Sequence, residues 1–204
     1  EEMGLNDDWA NGGNVGQIAS QSAALGAFPL AAASRDAVLQ PTLQSGSYSV
    51  RVSSKTTEGV ALAELYDAST AEPARLVNVS TLARTGSGSG ILIAGFTIAG
   101  ESPKRILVRA IGPTLGGFGV AGPLANPQLA LFRQGASIAV ASNDDWGGTD
   151  ELKAAFATGG AFVLPDSSQD AALMITLPPG AYSAQVIGAD AGTGLALLEV
   201  YELP

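Results

Sequence analysis

Two acidic tetrapeptides carry the most evident chemistry of this chain. Asn6-Asp7-Asp8-Trp9 is repeated letter for letter as Asn143-Asp144-Asp145-Trp146. Each ends an apolar stretch and opens a loop rich in Gly or Asn, and oxygen-rich acidic loops of this kind suit a hard cation such as calcium. Asn6, Asp7, Asp8, Asn143, Asp144 and Asp145 are therefore the candidate metal ligands, with Asp36, Asp150 and Asp170 as additional donors. The same letters have a second reading. Asn and Asp form Asx turns, and Trp9 and Trp146 would then cover the end of a sheet sandwich. The spacing matches no known calcium-loop pattern such as an EF-hand, so both readings stand.

Other chemistry is excluded by absence. The 204 residues contain no His and no Cys, which removes the commonest general base, the commonest neutral metal ligand, thiolate sites and disulfides. Serines are abundant, but no Ser-x-x-Lys or Gly-x-Ser-x-Gly arrangement activates one. Glu64 and Glu199 fall at equivalent mid-strand positions. The expected reading is a solvent-facing residue on an edge strand, with an ion pair to Arg51 or Arg109 as the alternative. A glycosidase would need them to converge to roughly 5 to 10 Å. Gly117-Phe118-Gly119-Val120-Ala121-Gly122 has the letters of a dinucleotide fingerprint, yet Pro123 and Asn126-Pro127 forbid the helix that would hold a pyrophosphate. Asn78-Val79-Ser80 spells a glycosylation sequon inside an expected strand. No enzyme and no cofactor follow from these residues.

Ten Lys and Arg against nineteen Asp and Glu give a formal charge of −9, which repels phosphate backbones and anionic surfaces. Nucleic acid is not an expected partner. The longest apolar run, Ile91 to Gly100, is far short of the roughly 20 residues of a membrane-spanning helix. No signal peptide opens the chain at Glu1, so an exported form would be a processed or excised segment.

The elements that must position these residues come from an internal repeat. Gly26-Ala27-Phe28-Pro29-Leu30 answers Gly160-Ala161-Phe162-Val163-Leu164, Gly46-Ser47-Tyr48-Ser49 answers Gly180-Ala181-Tyr182-Ser183, and Ala63-Glu64-Leu65-Tyr66-Asp67 answers Leu198-Glu199-Val200-Tyr201-Glu202. The period, about 135 residues, is that of a domain rather than of a solenoid turn. Period-2 alternation predicts strands at Leu173 to Leu177 and Tyr182 to Val186, and in the first copy at Ser47 to Ser53. Capping patterns predict short helices after each NDDW motif: one capped by Asn14 and stopped at Gly26, the other capped by Thr149, running Asp150 to Thr158 and stopped at Gly159-Gly160. Both are expected over a sandwich edge.

Between the copies, Leu76 to Thr81, Ile91 to Ile98, Arg105 to Ile111 and Gln128 to Phe132 read as strands, and Ser137 to Ser142 as another. With the repeated segment they make about nine strands across 76–204, a complete antiparallel sandwich or jelly roll. The expected fold is all-β: tandem antiparallel β-sandwich units with short helices in loops, the first unit incomplete. Residues 1–70 are the trailing half of a sandwich, 71–75 the linker, after the Ser-, Thr- and Pro-containing run from Ala68 to Pro73, and 76–204 the complete repeat. A half-sandwich leaves apolar faces and backbone edges unpaired and invites strand addition, and the candidates to complete it are residues upstream in the native gene, the Leu76 to Ile111 strands folding backwards, or strands from a neighbouring molecule.

The run from Leu76-Val77-Asn78-Val79-Ser80 through Gly90 to Gly100, Arg105 to Leu115, Ser142 to Trp146 and Leu177 to Val186 resembles a repeat module of very large secreted bacterial surface proteins. Its second half is similar to the bacterial pre-peptidase C-terminal domain, a jelly-roll-like accessory module of secreted proteases. The resemblance implies export, a β-sandwich, calcium binding and a non-catalytic role. It carries over no catalytic residues, and the missing front half of the first copy departs from it. The expectation is a structural or adhesive protein of the bacterial cell surface, assembling with other copies of itself or neighbouring repeats into a fibre or array by strand complementation. The alternative is a carbohydrate-binding or targeting module of a secreted enzyme, with a surface glycan as partner.

Overall fold

The computed structural model describes residues 2–54, 59–69, 75–86 and 88–204. The chain divides into two compact units, Glu1–Leu76 and Val77–Pro204. Most of the linker expected at 71–75 lies outside the described residues.

Eight strands form in the second unit, where about nine were expected: β1 (Asn78–Thr85), β2 (Leu92–Ile98), β3 (Lys104–Ile111), β4 (Pro127–Arg133), β5 (Ala141–Asn143), β6 (Ala171–Leu177), β7 (Gly180–Gly188) and β8 (Gly194–Leu203). They make two antiparallel four-stranded sheets, ordered β1-β8-β3-β6 and β2-β7-β4-β5. The strand expected at Ser137 to Ser142 shortens to β5, because only Ala141, Ser142 and Asn143 pair with β4. The sheets face each other across a core of alternate residues, including Ile106, Val108, Leu129, Leu131, Ala184, Val186 and Leu198.

The β1-β8-β3-β6 sheet is buried on its other face as well. Strand β3 therefore reads as a nearly continuous apolar run instead of alternating. Its Leu107 and Ile111 join Trp146, Phe156, Leu164, Tyr201 and Leu203 in a second core. Phe156 belongs to a helix spanning Asp150–Gly159, whose amino end is capped by the Thr149 hydroxyl accepting from the Leu152 N–H and whose carboxyl end turns at Gly160 with φ 71°. This helix covers a sheet face, not the edge expected of it, because its buried Ala155 and Phe156 need a broad apolar surface.

The pairing has a feature that no single strand discloses. All six ladders, β1 with β8, β2 with β7, β3 with β6 and with β8, β4 with β5 and with β7, join a strand from the leading half (β1–β4) to one from the trailing half (β5–β8). Neither half contains a ladder of its own. A trailing half without its leading half thus has backbone groups and apolar faces but nothing to set them against.

The first unit carries the letters of a trailing half, and it behaves accordingly. It has a 3-10 turn at Trp9–Gly12 and a helix at Val15–Ala24, and no strand forms among its described residues. The helix follows Asn14 as expected, although the Asn14 side chain makes no capping hydrogen bond. Among its described residues Trp9 and Ile18 are the buried hydrophobic ones. Ser47 to Ser53, expected as the sharper strand, is unpaired. Its Tyr48 and Val52 are 48% and 60% exposed, where the matching Tyr182 and Val186 are 4% and 0% exposed between two sheets. Alternation marks a segment that fits a sheet; partners make it one.

Candidate functional site

The two NDDW motifs are built alike. In the second, Asn143 Oδ1 accepts the Ala172 N–H at 2.9 Å while its Nδ2 donates to the Asp145 carbonyl at 3.0 Å. In the first, Asn6 Oδ1 accepts the Val38 N–H at 2.9 Å and its Nδ2 donates to the Asp8 carbonyl at 3.4 Å. The Trp146 N–H donates to the Asp170 carbonyl and its indole N–H to the Pro165 carbonyl at 3.1 Å. The Trp9 N–H and indole repeat this on Asp36 and Ala31, the latter at 3.0 Å. Each motif therefore clips the loop after its tryptophan onto the start of the sixth-strand segment. Both tryptophans are buried, but neither covers a sandwich end as expected: Trp146 joins the core on the outer face of the β1-β8-β3-β6 sheet, and Trp9 is buried in a unit with no strand among its described residues.

This use of the asparagines bears on the metal question. Asn6 and Asn143 have committed their oxygens to backbone donors, so the carboxylates of Asp7, Asp8, Asp144 and Asp145 are what the motifs offer a cation. Asp8 already accepts from the Asn11 amide at 3.1 Å, and Asp144 from Gln128 at 3.4 Å. Among the described residues no group of three or more acidic side chains is arranged to hold a metal ion. The additional donors separate too: Asp150 opens the second helix and Asp170 is turned into the protein.

The most concentrated polar chemistry lies where an exposed residue was expected. Strand β8 is interior, not an edge, and Glu199 is buried on its outer face opposite Arg109 of β3. Arg109 Nε donates to Glu199 Oε2 at 2.8 Å and Nη2 lies 2.7 Å from the same oxygen. Nη1 donates to the Phe162 carbonyl, and the guanidinium is stacked between the rings of Phe156 and Phe162 at 4.7 and 4.3 Å. Glu199 Oε1 accepts from the Tyr201 hydroxyl at 2.9 Å. Burial first, then the charge and hydrogen bond of Glu199, push the Tyr201 phenol well above its ordinary range, with Arg109 opposing. The cluster is buried and its two charges oppose each other, with Nη2 meeting Glu199 as an ion pair and not as a hydrogen bond. It is an electrostatic clasp between leading and trailing halves.

A second clasp does the same at the strand's end. The buried Asp170 carboxylate accepts the Gly112 N–H at 2.7 Å, the Thr114 N–H at 3.4 Å and the Thr114 hydroxyl. Gly112 is required here because a Cβ would lie 2.1 Å from the Leu124 carbonyl oxygen.

No protein-family model and no curated protein sequence matches this chain. Among solved structures it is similar to the pre-peptidase C-terminal domain of a collagenase from Bacillus anthracis, at 15% identity and a TM-score of 0.38, over 61% of this chain and 89% of that one.

The loop with the fingerprint letters forms a 3-10 turn, Pro113–Phe118, closed by Gly119 at φ 78°, and no α-helix follows it. Asn78, Val79 and Ser80 lie in β1 as expected. Sequence reasoning missed an open groove of about 630 Å³ on the outer face of the β2-β7-β4-β5 sheet, lined in part by Gln128, Phe132, Asp144, Asp145, Gln185 and Ile187. Its signal was present: Gln128 and Gln185 are polar residues in phase on strands whose other face is apolar. The Arg109–Glu199 pair is the alternative that the sequence offered for Glu199, and the Asp170 clasp is the one it missed.

Proposed function

We propose that this chain is a non-catalytic structural protein of the bacterial exterior, in which sandwich units are completed by strands from neighbouring units and so join into a fibre or array. What supports the reading is one observation: every ladder of the second unit crosses between its leading and trailing halves, and the first unit repeats the trailing half alone. Exposed Tyr48, Val50, Val52, Leu62 and Leu65 are what an incoming leading half would cover. Burying each such side chain is worth about 1.5–3 kcal/mol. Calcium belongs to the same proposal, bridging Asp7 and Asp8 or Asp144 and Asp145 to carboxylates brought by a neighbour. Electron microscopy and sedimentation of the purified chain, with and without calcium, test the reading. Filaments or concentration-dependent oligomers are expected, and a strict monomer at all concentrations would overturn it.

The groove favours a second reading, a glycan-binding or targeting module of a secreted enzyme. Side-chain amides, carboxylates and one aromatic ring on a sheet face are groups that hydrogen-bond and stack with a sugar. A glycan screen in which Gln128→Ala and Gln185→Ala abolish a hit would establish it.

A further inference from the structure

The acidic residues of the second unit's two clasps recur in the first, where no described residue stands in for the groups they hold. Asp170 and Glu199 reach out of the trailing half to leading-half groups: Gly112 and Thr114 for one, Arg109 for the other. Their counterparts by the repeat are Asp36 and Glu64, and Tyr66, like Tyr201, donates to the glutamate two residues before it, at 3.1 Å. Both carboxylates are exposed. Among the described residues no cation pairs with Glu64 and no donor reaches the Asp36 carboxylate, whereas both equivalents are buried and fully engaged. Solubility alone asks for no particular acidic residue at these two positions, so the pair points to what it would receive.

Resting on the assembly reading, we infer that the first unit is a receptor for one kind of strand, an apolar β-strand bearing an arginine, with glycine three residues later and threonine two after that. Glu64 takes the guanidinium, Asp36 takes the N–H and hydroxyl of the turn, and Leu62 and Tyr66 flank the arginine as Leu197 and Tyr201 flank Arg109. In the second unit β3 and β4 each pair with two trailing strands, and β3 is the one whose partners are β6, which directly follows Asp170, and β8, which carries Glu199. Pro41 stands where Ile175 does, and β6 is an edge strand, where proline is tolerated. The leading half of residues 77–204 is already engaged with its own trailing half, so the occupant is defined by its chemistry: a β3-like strand that is not the β3 of residues 77–204.

The probe is a synthetic peptide of residues 104–115, which carries Arg109, Gly112 and Thr114. It is titrated into the ¹⁵N-labelled full chain, following amide shifts of Val38, Glu64 and Tyr66. Saturable binding is expected, weakened at least tenfold by Glu64→Gln, by Asp36→Asn, or by Arg109→Ala in the peptide, and restored when Glu64→Lys meets a peptide carrying Arg109→Glu. These variants lie on an exposed surface and leave the second unit intact. Binding that ignores the two carboxylates, or no binding, overturns the inference. Filaments without peptide binding sink this inference and leave assembly standing, whereas carboxylate-dependent binding by a strictly monomeric chain does the reverse.

Discussion

Residues 37–69 and 171–204 are two versions of one text in two circumstances. In the second, Leu173, Tyr182, Val186 and Glu199 are buried; in the first, the matching Leu39, Tyr48, Val52 and Glu64 are exposed. Composition does not separate them. Among the described residues the second is paired with β1–β4 and the first is paired with no strand. Local propensity is thus a weak term in this fold, and long-range pairing carries the stability. What survives in both is what needs no leading half: the tryptophan clip, the asparagine bracket and a tyrosine that donates four residues back, Tyr48 to Gln44 and Tyr182 to Pro178, both at 2.9 Å.

Hydrogen exchange exposes the contrast most directly. Amides in the ladders of β3, β7 and β8 should exchange only through global opening of the second unit, a free energy on the order of 5–15 kcal/mol. Amides of Ser47 to Ser53 should exchange close to unprotected rates. Strong protection there in the isolated chain would break the comparison, since it would require a ladder from some other source.

Paired substitutions sharpen it. Glu199→Ala leaves Arg109 buried without its countercharge and should cost about 3–5 kcal/mol, whereas Glu64→Ala should lie within about 0.5 kcal/mol, as surface changes do. Leu173→Ala should cost about 2–5 kcal/mol by loss of burial and the cavity left behind, and Leu39→Ala almost nothing. Urea unfolding of the four variants checks both pairs. If Glu64→Ala proved as costly as Glu199→Ala, the first unit would already contain the partner that it is inferred to lack.

Much of the second unit is legible in its letters. The helix at Asp150–Gly159 announces itself by the Thr149 cap and the Gly159-Gly160 stop, and β3, β6 and β7 by apolar alternation or runs between turn residues. What is not legible is which strand lies beside which, because alternation reports the period of a strand and says nothing of its neighbour. Glu199 was misplaced for that reason. A charged residue in mid-strand reads as solvent-facing unless one knows that β8 is interior and that a helix and loop cover its outer face. The NDDW motif is legible only in part: its acidic letters suggest a cation, and its asparagines serve the backbone, a use that Asx chemistry allows but sequence cannot assign to partners 29 and 32 residues away.

Where the units share a device, their responses should converge. Asn6→Ala and Asn143→Ala each strand a backbone N–H and remove one side-chain donor, so each should cost its own unit about 1–2 kcal/mol. Trp9 and Trp146 fluorescence, read in single-tryptophan variants, reports the two transitions separately. Equal costs would show that the bracket works without the sheets, and a much larger cost at Asn143 would show that it borrows its strength from β6.

The smallest effect lies at alkaline pH, where the tyrosines differ only in degree. Both phenols are raised above their ordinary value of 10.0, with burial the leading cause and the neighbouring glutamate adding to it. Above that pH the unfolded chain releases the phenolic proton while the folded chain keeps it, so the unfolded state binds fewer protons and stability falls as pH rises. Below it the folded and unfolded forms are both protonated and the tyrosines add no slope. The second unit should therefore lose stability more steeply than the first from pH 10 upward, because Tyr201 is 7% exposed and Tyr66 42%. Tyr201→Phe should flatten that slope and Tyr66→Phe should barely alter it. A strand donor bound at Glu64 would bury Tyr66 as Tyr201 is buried, and the slope of the first unit should then steepen toward that of the second.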